Sequence, residues 1–100
     1  MAVSLSRLKP LSFDWDNSNK DKNWHKHRVK FRECEQIFSH TPIKIFPDPK
    51  HSQAERRFLA YGVTGKSRKL AIIFTIRNKQ IRIISARDQN KKERQVYEEK

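Results

Sequence analysis

The sequence predicts one small α+β domain, with two N-terminal helices, a four-stranded, mainly antiparallel sheet and a C-terminal helix. Three observations lead there. At 100 residues the chain is the usual size of a single domain. Its apolar residues recur at helical spacing in the first 40 positions, then fall into short strand-like runs. Those runs are separated by turn signals at Pro42, Pro47, Pro49 and Gly65.

Residues 1–12 read as an N-terminal extension and 13–100 as the folded domain, with Pro10 near the boundary. Phe13, Asp14 and Trp15 suggest a short extended segment. Asp16, Asn17 and Ser18 are candidate N-caps for a helix running to about His27. Lys20, Trp24 and His27 fall at i, i+4, i+7 and share a face, with Trp24 as its expected anchor, while Asp21, Lys22 and Lys26 point elsewhere. A second helix is expected from about Phe31 to Phe38, its core stripe made by Phe31, Cys34, Ile37 and Phe38. Cys34 on that stripe reads as an inert core thiol.

The prolines bracket Ile43 to Phe46 as a short edge strand, where a missing N–H is tolerated. Phe58 to Val63 is the next strand, closed by the turn Thr64-Gly65-Lys66-Ser67. The nearly unbroken apolar run Leu70 to Ile76 fits a central strand buried on both faces. Ile81 to Ala86 follows closely enough to form a hairpin with it. Asn90 with Glu93 three residues later is a capping-box pattern, which starts a last helix docked through Val96 and Tyr97.

Twenty-three Lys and Arg against 11 Asp and Glu give a formal charge of +12. The pI near 10.3 exceeds the level of about 9 at which a basic domain suggests a nucleic-acid footprint. A solvated surface and an anionic membrane surface are the other readings. Nucleic acid is favoured because the basic residues lie in strands and turns, not along one amphipathic helix. A single cysteine excludes an internal disulfide and a Cys-rich zinc site and fits a reducing cytosol. No stretch of about 18 apolar residues suggests a membrane span, and no signal-type apolar region is seen, so a cytoplasmic location is expected. With two glycines the chain has no phosphate loop of the Gly-rich kind.

Phosphates are therefore expected to meet side chains, and the candidates cluster in the sheet and its flanks: Arg56, Arg57, Lys69, Arg77, Arg82, Arg87, Lys91, Lys92 and Arg94. Two hairpin registers are open. A two-residue loop Asn78-Lys79 sets Thr75 opposite Arg82 and puts Thr75, Arg77 and Arg82 on one face. A three-residue loop puts Thr75, Arg77, Ser85 and Arg87 together and Arg82 on the other side. Either way an Arg-rich face lies beside small hydroxyls, suited to holding phosphate and stabilising charge in phosphoryl transfer. Solvent-facing strand charges are the plainer alternative.

His25, His27, His40 and His51 match no zinc spacing, so neither a metal nor another cofactor is expected. His27 reads either as a general acid or base or as a packed histidine. Glu55, Asp88, Glu93, Glu98 and Glu99 form no spaced pair of the kind metal-dependent nucleases use. If RNA is cleaved, elimination leaves a metal-independent route through the substrate 2′-OH.

Several separate motifs run along the chain: Phe13-Asp14-Trp15-Asp16 with Lys20, the stretch NWHKHRV from Asn23 to Val29 with Phe31, then RRFLAYG, FTIR, IRIISAR, and ER followed by YEE. Together, over about residues 13 to 99 and in family order, they resemble the BrnT family of RelE-like ribonuclease toxins. The resemblance implies a RelE-like domain, an endoribonuclease that inhibits translation, and a cognate BrnA-like antitoxin. Operator DNA would be met only through that antitoxin, and no membrane is involved. By position, Lys26 and His27 match the family KH, Arg57 the strand arginine, Thr75 and Arg77 the T-x-R, and Ser85 and Arg87 the SAR end. This implies catalytic candidates Arg57, Arg77, Ser85, Arg87, Lys26 and His27, with Lys20, Thr75, Arg82, Arg94 and Tyr97 as substrate-binding candidates. Two positions depart from the pattern: Arg28 stands where the family commonly has Gly, and Asn78-Lys79 replaces a more acidic or Gly-bearing turn.

Overall fold

A computed structural model of the chain describes residues 11–51 and 54–99. In chain order it contains α1 (Lys22–His27), α2 (Phe31–Ser39), β1 (Lys44–Pro47), β2 (Arg57–Val63), β3 (Lys69–Arg77), β4 (Gln80–Asp88) and α3 (Lys91–Glu98). The strands form one sheet in the order β1-β2-β3-β4, every ladder antiparallel. The expected α+β arrangement is present, with β1 at an edge and β3 in the middle.

β3 explains its own composition. Leu70, Ile72 and Phe74 turn to one face and are fully buried against Val29, Cys34, Ile37 and Phe38 of the helical layer. Phe74 stacks on Phe58 at 5.4 Å and meets Phe38 edge-on at 5.1 Å. Ala71 and Thr75, on the opposite face, are also buried, Ala71 beneath Tyr97 of α3. Burial on both sides removes the polar alternation a half-exposed strand would show. Cys34 is 1 % exposed, and burial pushes its thiol up to about 12, which keeps it protonated and unreactive as expected of a core position.

α1 is shorter than its pattern predicts. Asp16 Oδ1 accepts from both the N–H and the hydroxyl of Ser18, and Asn19 Oδ1 accepts from the Asp16 N–H. These local bonds hold residues 17–21 in turns in place of a first helical turn. The anchor also differs from expectation: Trp24 is 37 % exposed, and the buried residue of α1 is Asn23. Asn23 Oδ1 accepts the Ala86 N–H, Asn19 Nδ2 donates to the Ile83 carbonyl and Lys22 Nζ to the Ile84 carbonyl. Side chains thus occupy the outer edge of β4, where an unpaired strand would invite aggregation. Phe13 completes that edge through a parallel bridge to Ile81. Of the expected extension, residues 1–10 lie outside the described residues, while Leu11 packs on the core and Ser12 accepts from the Ile81 N–H.

Arg28 ends α1 in the left-handed region, at φ 55° and ψ 37°. Only glycine adopts that conformation without a Cβ penalty, and it is the ordinary residue of such a cap. Arg28→Gly is therefore expected to raise stability by about 0.5 to 1 kcal/mol, measured by urea unfolding. An unchanged or lower midpoint would mean that the stacking of Arg28 on Trp24, at 5.1 Å, outweighs the backbone strain.

α3 begins as predicted, with Asn90 and Glu93 exchanging side-chain bonds to each other's backbone. It crosses the face opposite α1 and α2, and Tyr97 docks with Tyr61 and Ala71 while Val96, the other expected contact, stays 37 % exposed. Lys44 Nζ reaches the Val96 and Glu99 carbonyls and satisfies the C-terminal end of the helix.

Candidate active site

The sheet face not covered by α1 and α2 carries the arginines. Cross-strand registry sets Arg57, Thr75 and Arg82 abreast on β2, β3 and β4, with Arg77 opposite Gln80 one row nearer the hairpin tip. The next row is Leu59, Ile73 and Ser85, and the next Tyr61, Ala71 and Arg87. The tip is the two-residue loop, Asn78 and Lys79 both at positive φ (51° and 62°), the hairpin geometry that glycine usually serves.

Each of the two open registers holds in part. Between the tip and Phe74 the two-residue register runs true, pairing Thr75 with Arg82. A bulge between Ile73 and Phe74 then shifts the ladder by one residue, so that Ser85 pairs with Ile73 and Arg87 with Ala71. Arg82 and Arg87, at odd separation, would point to opposite faces of a regular strand. The bulge brings Arg57, Thr75, Arg77, Arg82, Ser85 and Arg87 onto one face.

Each of its arginines has a carboxylate partner. Arg77 grips Glu55 through Nε (3.0 Å) and Nη2 (2.8 Å), and Arg57 lies 3.6 Å from the same carboxylate. Arg82, largely buried, binds Asp16 at 3.0 and 3.2 Å, donates to Ser18 Oγ at 2.8 Å and lies 3.5 Å from Asp14. Arg87 holds Glu93 at 2.6 and 2.9 Å. These bidentate bonds hold the carboxyls of Asp16, Glu55 and Glu93 below the ordinary carboxylate range and raise the guanidinium values of Arg77, Arg82 and Arg87. Burial, with Glu93 beside it, raises the Tyr61 hydroxyl. A cavity of about 180 Å³ opens beside Arg77 and Arg82, with Ser18 and Lys22 in its wall.

Thr75 is on the row but 1 % exposed, its hydroxyl donating to the Arg56 carbonyl. The remaining candidates lie apart from the row. Lys26 and His27 are exposed at the end of α1, and Lys20 sits over the Phe31 ring at 4.7 Å. Arg94 donates to the Gln89 carbonyl, and the buried Tyr97 donates its hydroxyl to the Pro42 carbonyl at 2.6 Å. Sequence reasoning missed the carboxylates. It assigned Glu93 to helix capping alone, where it both caps α3 and ties it to Arg87. Asp16 reaches Arg82 from 66 positions away, which no local pattern encodes. Arg68 was missed as well: it joins Asp88, Glu33 and the His27 and Arg28 carbonyls, fastening both helices to the sheet. Among the described residues no group of three or more His, Cys, Asp or Glu could hold a metal ion, and no helix is long and apolar enough to cross a membrane.

The ion pairs fix a pH dependence. Carboxyls with depressed folded-state values bind fewer protons folded than unfolded, so their stabilisation is present above the unfolded value and lost as pH falls through the folded one. Stability should therefore hold near neutrality and decline below about pH 4, where unfolded carboxyls protonate. Urea midpoints between pH 7 and pH 3 measure this, and a flat profile would show that the pairs contribute nothing net.

Fold and face together define a small basic α+β domain with an arginine-rich sheet face. The family model described as "Ribonuclease toxin, BrnT, of type II toxin-antitoxin system" matches residues 15–93, and the chain belongs to that family. A search among curated proteins finds no match.

Proposed function

We propose that the chain is a RelE-like endoribonuclease that cleaves RNA without a metal, inhibits translation in the cytoplasm and is neutralised by a BrnA-like antitoxin. Operator DNA is contacted through that antitoxin alone. The observation that carries this reading is the row Arg57–Thr75–Arg82 with Arg77 beside it, sharing carboxylates at its rim. An RNA phosphate entering the row competes with Glu55 for Arg57 and Arg77. Glu55 is the carboxylate that these two arginines share, and its ion pairs lie near the surface, where such pairs hold weakly. Once displaced, its carboxylate regains an ordinary proton affinity beside the phosphate and accepts the 2′-OH proton. The 2′-oxygen then bonds to phosphorus as the bond to the 5′-oxygen breaks, and that oxygen takes up a proton from solvent. The guanidinium groups of Arg57 and Arg77 meet the charge that develops on the non-bridging oxygens, with Arg82, Ser85 and Arg87 extending the phosphate track.

Induction of the chain alone in a bacterial host, with and without Arg77→Ala plus Arg87→Ala, tests the proposal. Growth arrest with RNA fragmentation that the double variant relieves is expected. Normal growth and intact RNA at confirmed soluble expression would favour a non-catalytic RNA-binding module, or a degenerate toxin that keeps only antitoxin binding.

A further inference from the structure

A second basic surface lies on the helical side, across the core from the arginine face. Its centre is Trp24, an exposed large apolar residue, with Phe31 half-buried nearby. Arg28 and Lys30 lie 5.1 and 5.8 Å from the Trp24 ring, and Lys20 and Arg32 lie 4.7 and 5.8 Å from the Phe31 ring. Two adjoining cavities, about 380 and 390 Å³, share Trp24, Lys30 and Arg32 in their walls. Both fall within the range of small-ligand sites, about 300 to 1,000 Å³. Six cationic side chains line the pair against two acids, Asp21 and Glu33, and Glu33 is engaged by Arg68 at 3.2 Å.

We infer that this surface is a second RNA contact, a stacking platform for unpaired nucleotides outside the cleavage site; the inference rests on the ribonuclease reading above. The partners of the cations carry the argument. On the sheet face the arginines are neutralised by carboxylates, whereas here four of the six cations, Lys20, Arg28, Lys30 and Arg32, lean on ring faces, which hold a cation without cancelling its charge. Aromatic planes interleaved with uncancelled cations are what a single strand requires, rings for its bases and ammonium or guanidinium groups for its phosphates. An acidic peptide would use the charges but has no need of the rings.

The test uses the full chain and a labelled single-stranded 2′-O-methyl oligonucleotide, which binds but lacks the nucleophile for cleavage. Trp24→Ala should weaken binding by about fivefold or more, the low end of what one base stacked on an aromatic ring contributes. Independently, Lys30→Gln plus Arg32→Gln should lower the slope of log affinity against log salt by about 1.4, at about 0.7 per phosphate contact on a single strand. Both variants should cleave a dinucleotide, too short to span both faces, at the unaltered rate. Wild-type affinity and salt slope in both variants would overturn the inference. So would a loss confined to antitoxin affinity, which would make the surface a protein interface. Failure of the unsubstituted chain to bind or cleave RNA would remove the ribonuclease reading itself, a result distinct from either.

Discussion

Arg77→Ala is expected to slow RNA cleavage by about 100- to 1,000-fold, the scale measured when one preorganised charge-stabilising donor is removed from an active site. The residue lies at the surface, so its removal should leave the fold intact while freeing Glu55 from its principal partner. Initial rates and oligonucleotide affinity measured on the same preparation separate two cases. A loss in turnover far exceeding the loss in binding places Arg77 in the transition state, whereas equal losses in both make it a phosphate anchor only. Arg77→Lys should recover little, because an ammonium cannot grip two phosphate oxygens in the two-nitrogen manner that the guanidinium shows on Glu55.

Phe74→Ala should lower the unfolding free energy by about 3 to 5 kcal/mol, a large part of the 5 to 15 kcal/mol typical of a whole domain. Phe74 is fully buried where β3 meets α2, and its ring touches those of Phe58 and Phe38. No surface loop can collapse into the cavity its loss would leave. Thermal and urea unfolding would measure the effect. A loss below 1 kcal/mol would mean that the helical layer slides to refill the space and that the two layers are less firmly registered than the packing indicates.

The sheet was legible in the sequence because each strand carries its own punctuation: prolines around β1, the Thr64–Ser67 turn after β2, and an apolar run at β3 that only a strand covered on both sides explains. The arginine face was legible as two alternatives, each true of half the hairpin, because a bulge leaves no compositional mark. α1 was misjudged by one position. Asn23 is polar yet buried by its bond to the Ala86 N–H, while the apolar Trp24 next to it faces outward, and an amphipathic pattern ranks the two the other way. The carboxylates of the site were invisible for another reason. Asp16 and Glu55 approach their arginines from irregular segments outside the helices and strands, whose positions are set only once the sheet has formed.

The bulge in β4 has an effect on the strand's outer side as well. In a regular strand successive carbonyls point alternately to the left and right neighbour, so an edge offers only every second oxygen to the outside. At the bulge two consecutive carbonyls, those of Ile83 and Ile84, both turn outward, and Asn19 and Lys22 each take one. The first residue of α1 and the turn before it are thereby hooked at two adjacent points. Asp16, only three residues before Asn19, inherits that fixed position and meets Arg82 across the rim of the sheet. One surplus residue in a strand thus works as a clamp for a segment 64 positions away.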